Sequence, residues 1–335
     1  MTTYRKLIAS SFSKDFRAAA QIITEPIPDP GPGQILVRNI YAGVNATDVN
    51  ISAGMYTPGA VPPIDLGAEA VGEVVALGDE VDHLNVGNYV VTGDLGGGYR
   101  EYSLHKARYA YPVDEPRPEY LSLLASATTA SIGLSITGEM TSGETVLVTA
   151  AAGGTGQFAV QLAKLAGNHV IGTCGSDEKM HHLRELGCDR VINYRAEKVG
   201  AVLKTEYPDG VNLIYESVGG RMFDTCVKAL ARYGRLVIIG YISEYQNQLP
   251  EAVSSPRIYW RLLGKSASIR SMFLPHFYKQ VPEHMFKLME LYHEGKLQAR
   301  IDPTEFVGVE GVADAVAYLH SGESSGKVVV KIGNF

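Results

Sequence analysis

Cysteine is scarce in this chain. Three residues, Cys174, Cys188 and Cys226, stand in a length of 335. Their scatter and odd number argue against a disulfide framework, and three thiols cannot build a four-thiolate zinc site within one chain. A block of basic charge is also lacking. Lys and Arg number 30 against 36 Asp and Glu, for a net charge of −6, which argues against nucleic acid or an anionic membrane surface as the main partner. No run of 18 apolar residues occurs, so no bilayer-spanning segment is expected. The opening Met-Thr-Thr-Tyr-Arg-Lys-Leu-Ile-Ala-Ser lacks the apolar core of a signal peptide. The closing Lys331-Ile-Gly-Asn-Phe is neither a peroxisomal nor an endoplasmic-reticulum address. These absences lead to the expectation of a soluble intracellular protein, cytoplasmic or organellar.

What is present is a globular composition, 45% apolar and 20% charged. A length of 335 suggests about two domains, and a chain of this size buries roughly three-quarters of its surface without staples. Glycine is in excess: 36 residues, about 11% against a usual ~7%. Up to about residue 117 the sequence consists of short β-like runs between glycine and proline turns. Gln34-Ile-Leu-Val-Arg, Ala70-Val-Gly-Glu-Val-Val-Ala-Leu, Asn88-Tyr-Val-Val-Thr and Tyr99-Arg-Glu-Tyr-Ser-Leu are examples. This pattern predicts an all-β, barrel-like module. Tyr120–Leu124 and Ala125–Ile136 read as helices. From Glu144 the pattern becomes strand, helix, strand, helix. The strands fall at Thr145–Thr149, His169–Thr173, Arg190–Asn193, Leu213–Glu216 and Arg235–Gly240, with helices such as Gln157–Ala166, Lys179–Leu186 and Arg221–Leu230 between them. Apolar strands alternating with amphipathic helices predict an α/β fold, a doubly wound parallel sheet covered on both faces. After about 268 come two helical stretches and a final strand, Lys327-Val-Val-Val-Lys-Ile, expected to return to the first module.

The strand Thr145–Thr149 runs into Ala150-Ala-Ala-Gly-Gly-Thr-Gly-Gln-Phe-Ala159, in which Gly154, Gly156 and Ala159 fit the dinucleotide fingerprint. The first glycine permits a tight turn, the second lets backbone approach a pyrophosphate, and the small third residue lets helix pack on strand. Phe158, Leu162, Leu165 and Ala166 are the expected buried stripe of that helix. A site for NAD wants an acid at the tip of the second strand, about 20 residues on. Gly175 stands there instead, followed by Ser176-Asp177-Glu178-Lys179. Ser176 can donate to a 2′-phosphate and Lys179 can supply charge. Ser176 can equally cap a helix, with Asp177 and Glu178 in its first turn. The pattern favours NADP(H).

With those residues in view, the chain resembles the medium-chain dehydrogenase/reductase superfamily, in its zinc-independent branch of quinone oxidoreductases and enone reductases. The specific stretches are Gly43-Val-Asn-Ala-Thr-Asp-Val-Asn, Val148 to Ala159, Ile171-Gly-Thr-Cys-Gly-Ser-Asp-Glu-Lys, Tyr215-Glu-Ser-Val-Gly-Gly, Ile239-Gly-Tyr-Ile-Ser-Glu-Tyr-Gln and Gly326-Lys-Val-Val-Val. The resemblance implies a GroES-like β-barrel catalytic domain (1–124), a Rossmann domain (125–268) and a return segment (269–335) that partly completes the first. It implies NADPH in the cleft between the domains, and a homodimer. Gly153, Gly154, Thr155 and Gly156 would surround the pyrophosphate region, and Ser176, Lys179 and Tyr194 the 2′-phosphate. Ser217, Ile239 and Tyr245 would line the nicotinamide half. Phe273 and Leu274 fall in an aromatic loop that meets the carboxamide, where Met272-Phe273 departs from the more usual Phe-Phe or Gly-Phe. Ser324 and Lys327 stand where a C-terminal residue reaches the cofactor. Thr129 would either touch the carboxamide or pack the helix that joins the domains.

Zinc-dependent relatives place a Cys at the position of Asn45 and a His in a Gly-His-Glu triplet, which here reads Gly67-Ala68-Glu69. Alanine cannot bind zinc, so no catalytic metal is expected, and Glu69 reads as a surviving polar barrel residue. Without a Lewis acid, an α,β-unsaturated ketone is an easier substrate than an isolated ketone. Hydride adds to the β-carbon while the oxygen gathers enolate charge and needs donors. Tyr245 is the first candidate donor and Tyr56 the second. Asn45 either bonds the nicotinamide edge or substrate, or stabilises the Val44–Asp48 turn. The expected function is NADPH-dependent reduction of the double bond of small-molecule enones, lipid-derived ones such as 15-oxo-prostaglandins among them. The alternatives are a quinone reductase and a non-catalytic NADPH-binding sensor or structural protein.

Overall fold

The computed structural model describes residues 2–246 and 257–333. The chain forms two compact units, Met1–Ala125 with Ile301–Phe335, and Ser126–Arg300.

The first unit is built from short strands. Gln34–Gly43 carries alternating apolar residues and pairs antiparallel with Ala70–Leu77, with Tyr102–Lys106 and with the C-terminal strand Val329–Lys331. Tyr89–Thr92 and Tyr111–Val113 extend this sheet. Thr3–Ala9 holds a second, three-stranded sheet together between Ala20–Pro26 and Ile64–Asp65. Leu7, Phe16, Val44, Val49, Tyr99, Val312, Val316 and Val330 share one buried cluster, so the C-terminal helix Val312–Ser321 and its strand complete this core. Of the segment 269–335, residues from Ile301 onward belong to this unit. The expected strand beginning at Tyr99 begins at Tyr102 instead. Tyr99 is fully buried and its ring meets Phe16 edge-on, at 6.4 Å between centroids.

The second unit holds a six-stranded parallel sheet in the order Arg190–Asn193, His169–Cys174, Thr145–Val148, Val211–Glu216, Leu230–Ile238, Ser268–Ser271. In chain order this reads third, second, first, fourth, fifth, sixth, so the winding reverses beside the first strand. The sixth strand, Ser268–Ser271, is not among those expected: it is short, and three of its four residues are polar.

The helix after the first strand spans Gly156–Leu165 and buries Phe158, Ala159, Val160 and Ala163. Leu165, expected inside, is 50% exposed. Gln157 and Gln161 are buried in its place. Their amides exchange paired hydrogen bonds with the backbone of Arg300 and Gln298, at 2.8–3.0 Å. Apolar periodicity cannot foresee an amide that satisfies itself on a distant backbone.

The helical stretch Pro118–Thr137 is long and apolar enough, by length and composition, to cross a membrane. It holds no unbroken run of 18 apolar residues, since serines and threonines interrupt it, and only its mean hydropathy passes that test. The share of its window buried inside the protein is 67%, as in a core helix. Cys174, Cys188 and Cys226 are buried free thiols, and burial pushes Cys188 up to about 12.

Candidate functional site

In the second unit, the candidate residues lie where the strands end. The first strand stops at Val148, and the chain turns through Ala150, whose φ is +48°, to enter the helix at Gly156. A β-carbon on Gly156 would stand 2.4 Å from the Ala150 carbonyl oxygen and 2.7 Å from Ala151 Cα. The glycine therefore allows backbone to lie against backbone. Gly153, Gly154 and Thr155 form the half-exposed crest of this turn. The Gly153 N–H donates to the Ala150 carbonyl at 3.0 Å, while the N–H groups of Gly154, Thr155 and Gly156 stand at a helix N-terminus, a natural place for an anion.

The second strand ends at Cys174. A β-carbon on Gly175 would be 2.5 Å from the Tyr194 hydroxyl, so the ring of Tyr194 occupies the space an acid would need. Ser176 is the N-cap of Asp177–Glu185, accepting from the Lys179 backbone N–H at 3.3 Å. The capping role is thus real, and Ser176, Lys179 and Tyr194 are gathered round Gly175. A hydroxyl, an ammonium and a phenol at one strand tip could hold a phosphate ester.

The fourth strand ends at Glu216, and Ser217 follows it. Ser217 donates its backbone N–H to Thr149 Oγ1 at 2.8 Å. The Ser217 hydroxyl is shielded and has no hydrogen-bond partner among the described residues, an orphaned polar atom of the kind that marks a ligand site. Ile239 follows the fifth strand and donates its N–H to the Glu216 carbonyl at 2.7 Å. The loop beyond crosses Gly219, whose φ of +79° and lack of a side chain make room for the Tyr241 backbone. Ile242 and Ser243 donate their N–H groups to the carbonyls of Ser217 and Val218, stitching the two turns together. Tyr245 is 3% exposed; its hydroxyl accepts from the Tyr241 N–H at 3.4 Å, and the two rings meet edge-on at 4.6 Å. Phe273 and Leu274 follow the sixth strand, half-buried, and the Phe273 ring meets His276 edge-on. Thr129 is half-buried in the helical turn Thr128–Ile132.

The first unit brings Asn45 and Lys327 together. Lys327 is 2% exposed, and its ammonium lies 2.5 Å from Glu69 Oε1 and 2.7 Å from Asn45 Oδ1. The Asn45 amide donates to the same Glu69 oxygen at 3.0 Å, and Glu69 Oε2 accepts from the Ala125 N–H at 3.2 Å. The Asn45 backbone N–H donates to Asp48 Oδ2 at 2.8 Å, and the Tyr99 hydroxyl donates to that oxygen as well. Burial raises the Asp48 carboxyl to about 6. Asn45 therefore stabilises its own turn and also links Lys327 to Glu69. Ser324 is buried three residues before Lys327, and Tyr56 packs half-buried against the cluster of Leu7, Val49 and Tyr99.

Sequence reasoning missed Asp48, Tyr99, Thr149 and Glu216. Asp48 and Glu216 stand inside Gly43–Asn50 and Tyr215–Gly220, both singled out as motifs. An acid closing the run Leu213-Ile214-Tyr215 was the available signal for Glu216.

Residues 31–115 match the alcohol dehydrogenase GroES-like domain, and residues 154–292 the zinc-binding dehydrogenase family. The chain is 47% identical over 340 residues to Prostaglandin reductase-3 of Mus musculus, covering 98% of this chain and 90% of that protein. It is 42% identical over 336 residues to the Probable quinone oxidoreductase of Leishmania amazonensis, covering 99% and 98% respectively. Among solved structures, a mycobacterial protein complexed with NADPH shares the fold with a TM-score of 0.85 at 25% identity, covering 98% of this chain and 100% of that one. With both domain families in place and similarity along nearly its whole length, the chain belongs to the medium-chain dehydrogenase/reductase family.

Proposed function

We propose that this NADP-dependent oxidoreductase reduces the carbon–carbon double bond of α,β-unsaturated ketones, with lipid-derived enones such as 15-oxo-prostaglandins as the leading substrates. The 47% identity to Prostaglandin reductase-3 carries the substrate class. The Gly175 tip, where Tyr194 stands in the place of an acid, supports the preference for the 2′-phosphate. NADPH supplies the hydride, from the nicotinamide ring.

The chain's own residues bind and orient. The crest Gly153–Gly156 offers the backbone N–H groups of Gly154, Thr155 and Gly156 to the pyrophosphate, with Gly153 shaping the turn. Ser176, Lys179 and Tyr194 hold the 2′-phosphate, and Ser217, Ile239, Tyr245, Phe273 and Leu274 hold the nicotinamide half, with Thr129 beside it. Tyr245 is the first candidate donor to the enone oxygen, which gathers charge as the β-carbon is reduced, and Tyr56 is the second. Lys327 places an ammonium against Glu69 and against Asn45, which stands where zinc-dependent relatives carry a Cys ligand, and the reaction we propose needs no zinc. Ser324 is proposed as a further cofactor contact.

The test is NADPH consumption with a 15-oxo-prostaglandin and with a simple enone, the product identified by mass and by its remaining chromophore. A product saturated at the carbonyl with its double bond intact would sink the mechanism. The similarity to a probable quinone oxidoreductase supports a second reading, reduction of quinones. Faster turnover of quinones than of enones on the same panel would favour it. A chain that binds NADPH and turns over neither would be a sensor or structural protein.

We also infer a homodimer. Ser268–Ser271 is an edge strand with one side unpaired among the described residues, and Tyr259, Trp260 and Leu263 are exposed on the short helix before it. An open edge flanked by apolar side chains suits a second copy. Light scattering that gives the mass of one chain would reject the dimer.

A further inference from the structure

The fourth strand of the parallel sheet, Val211–Glu216, runs through the buried stretch Leu213-Ile214-Tyr215 and ends on an acid. Glu216 is fully buried, and every hydrogen bond recorded at its carboxylate is donated to it. The donors are the Val218 N–H at 2.9 Å, the Gly219 N–H at 3.2 and 3.1 Å to the two oxygens, and the Thr149 hydroxyl at 3.3 Å. A protonated acid would need an acceptor, so this donor set suits the anion. Burial pushes the carboxyl up, as does nearby Glu244, while the donors pull it down.

The position of this anion is specific. Thr149 follows the first strand and Glu216 ends the fourth, and these two strands are neighbours where the winding of the sheet reverses. A dinucleotide lies across the carboxyl ends of the strands at such a point. Gly175, Ser176 and Tyr194 stand at the tips of the second and third strands and claim the adenosine half. The tips of the fourth and fifth strands are left for the nicotinamide, with Glu216 beneath them.

We propose that Glu216 acts as a fixed buried anion that favours the oxidised, cationic nicotinamide over the reduced, neutral one. The proposal rests on the NADP(H) reading above. Oxidation of the ring leaves one positive charge on it. An anion already in place attracts that charge as it develops and needs no reorganisation. The competing role is a purely structural clamp on the Ser217–Gly220 turn.

The test is equilibrium binding of NADP+ and NADPH, without enone, to the wild-type chain and to Glu216→Gln. The amide keeps the shape and one acceptor oxygen and loses the charge. We expect the ratio of the NADP+ Kd to the NADPH Kd to rise roughly tenfold, the scale of a charge pair several ångströms apart at intermediate dielectric. Glu216→Asp, which keeps the charge, should leave the ratio within about twofold of wild type. Glu244 lies beside the Gly219–Gly220 turn and is partly exposed. Glu244→Gln should therefore move the ratio the same way by less, and it decides the matter should Glu216→Gln fail to fold. Equal weakening of both nucleotides, or an unmoved ratio, overturns the proposal in favour of the clamp. A chain that binds both nucleotides yet reduces no enone refutes the substrate reading instead and leaves this ratio readable.

Discussion

Tyr194 and Gly175 compete for one volume, and under the proposed function that competition sets the cofactor choice. A methyl group at 175 would meet the Tyr194 hydroxyl at 2.5 Å and its ring at 2.8 Å. The Tyr194 side chain is 48% exposed and free to swing outward, so Gly175→Ala should cost less than about 1 kcal/mol of stability. It should nevertheless raise the NADPH Kd several-fold, with the NADH Kd little changed, by moving the phenol from its place. Lys179→Ala should have the same selectivity by removing charge. Fluorescence titration with both nucleotides checks the pair, and equal losses for NADH would reject a contact with the 2′-phosphate. Tyr245 calls for a kinetic test. Tyr245→Phe should lower kcat while leaving the NADPH Kd within about twofold, since a group that acts on developing charge acts after binding. An unchanged kcat would remove it from the chemistry.

At the scale of the element, the turn between the first parallel strand and its helix packs backbone against backbone at Gly156. A β-carbon at Gly156 would press on the Ala150 carbonyl and on Ala151 Cα, neither of which is the end of a movable side chain. Gly156→Ala should therefore destabilise the chain by about 1–3 kcal/mol and weaken NADPH and NADH alike. Thermal unfolding with binding of both nucleotides measures this, and selective loss of one nucleotide would contradict it. This turn was legible in the sequence, because glycine spacing after a strand reports a backbone requirement directly. Glu216 was less so: an acid ending a strand reads as a solvent-facing terminus until Thr149, Val218 and Gly219 are seen to surround it. Leu165 and the pair Gln157 and Gln161 exchanged places for a related reason. Periodicity ranks side chains by polarity, while burial here was settled by the carbonyls and N–H groups of Gln298 and Arg300.

For the molecule as a whole, the network in the first unit links stability to pH. Lys327, Glu69, Tyr99 and the turn that carries Asn45 and Asp48 come from four separated parts of the chain, so no local motif could show that they meet. Asp48 has the perturbed acidity, raised from 3.8 to about 6. Its causes are burial first, then the opposing bonds from Tyr99 and Asn45, then attraction to Lys327 and repulsion from Glu69. A carboxyl raised in the folded state binds its proton more tightly there than in the unfolded chain. Its contribution to stability is therefore fully present below about pH 4 and is lost as pH rises through 6. The loss is on the order of 3 kcal/mol for a shift of this size. Asp48→Asn resembles the protonated form at every pH. The unfolding free energy of the variant minus that of wild type should rise between pH 4 and 7, and be flat on either side. Urea unfolding at half-unit pH steps measures that difference, in which the other carboxylates cancel. A constant difference across the window would show that Asp48 titrates as an ordinary acid, and that the ammonium of Lys327 is shared between both carboxylates.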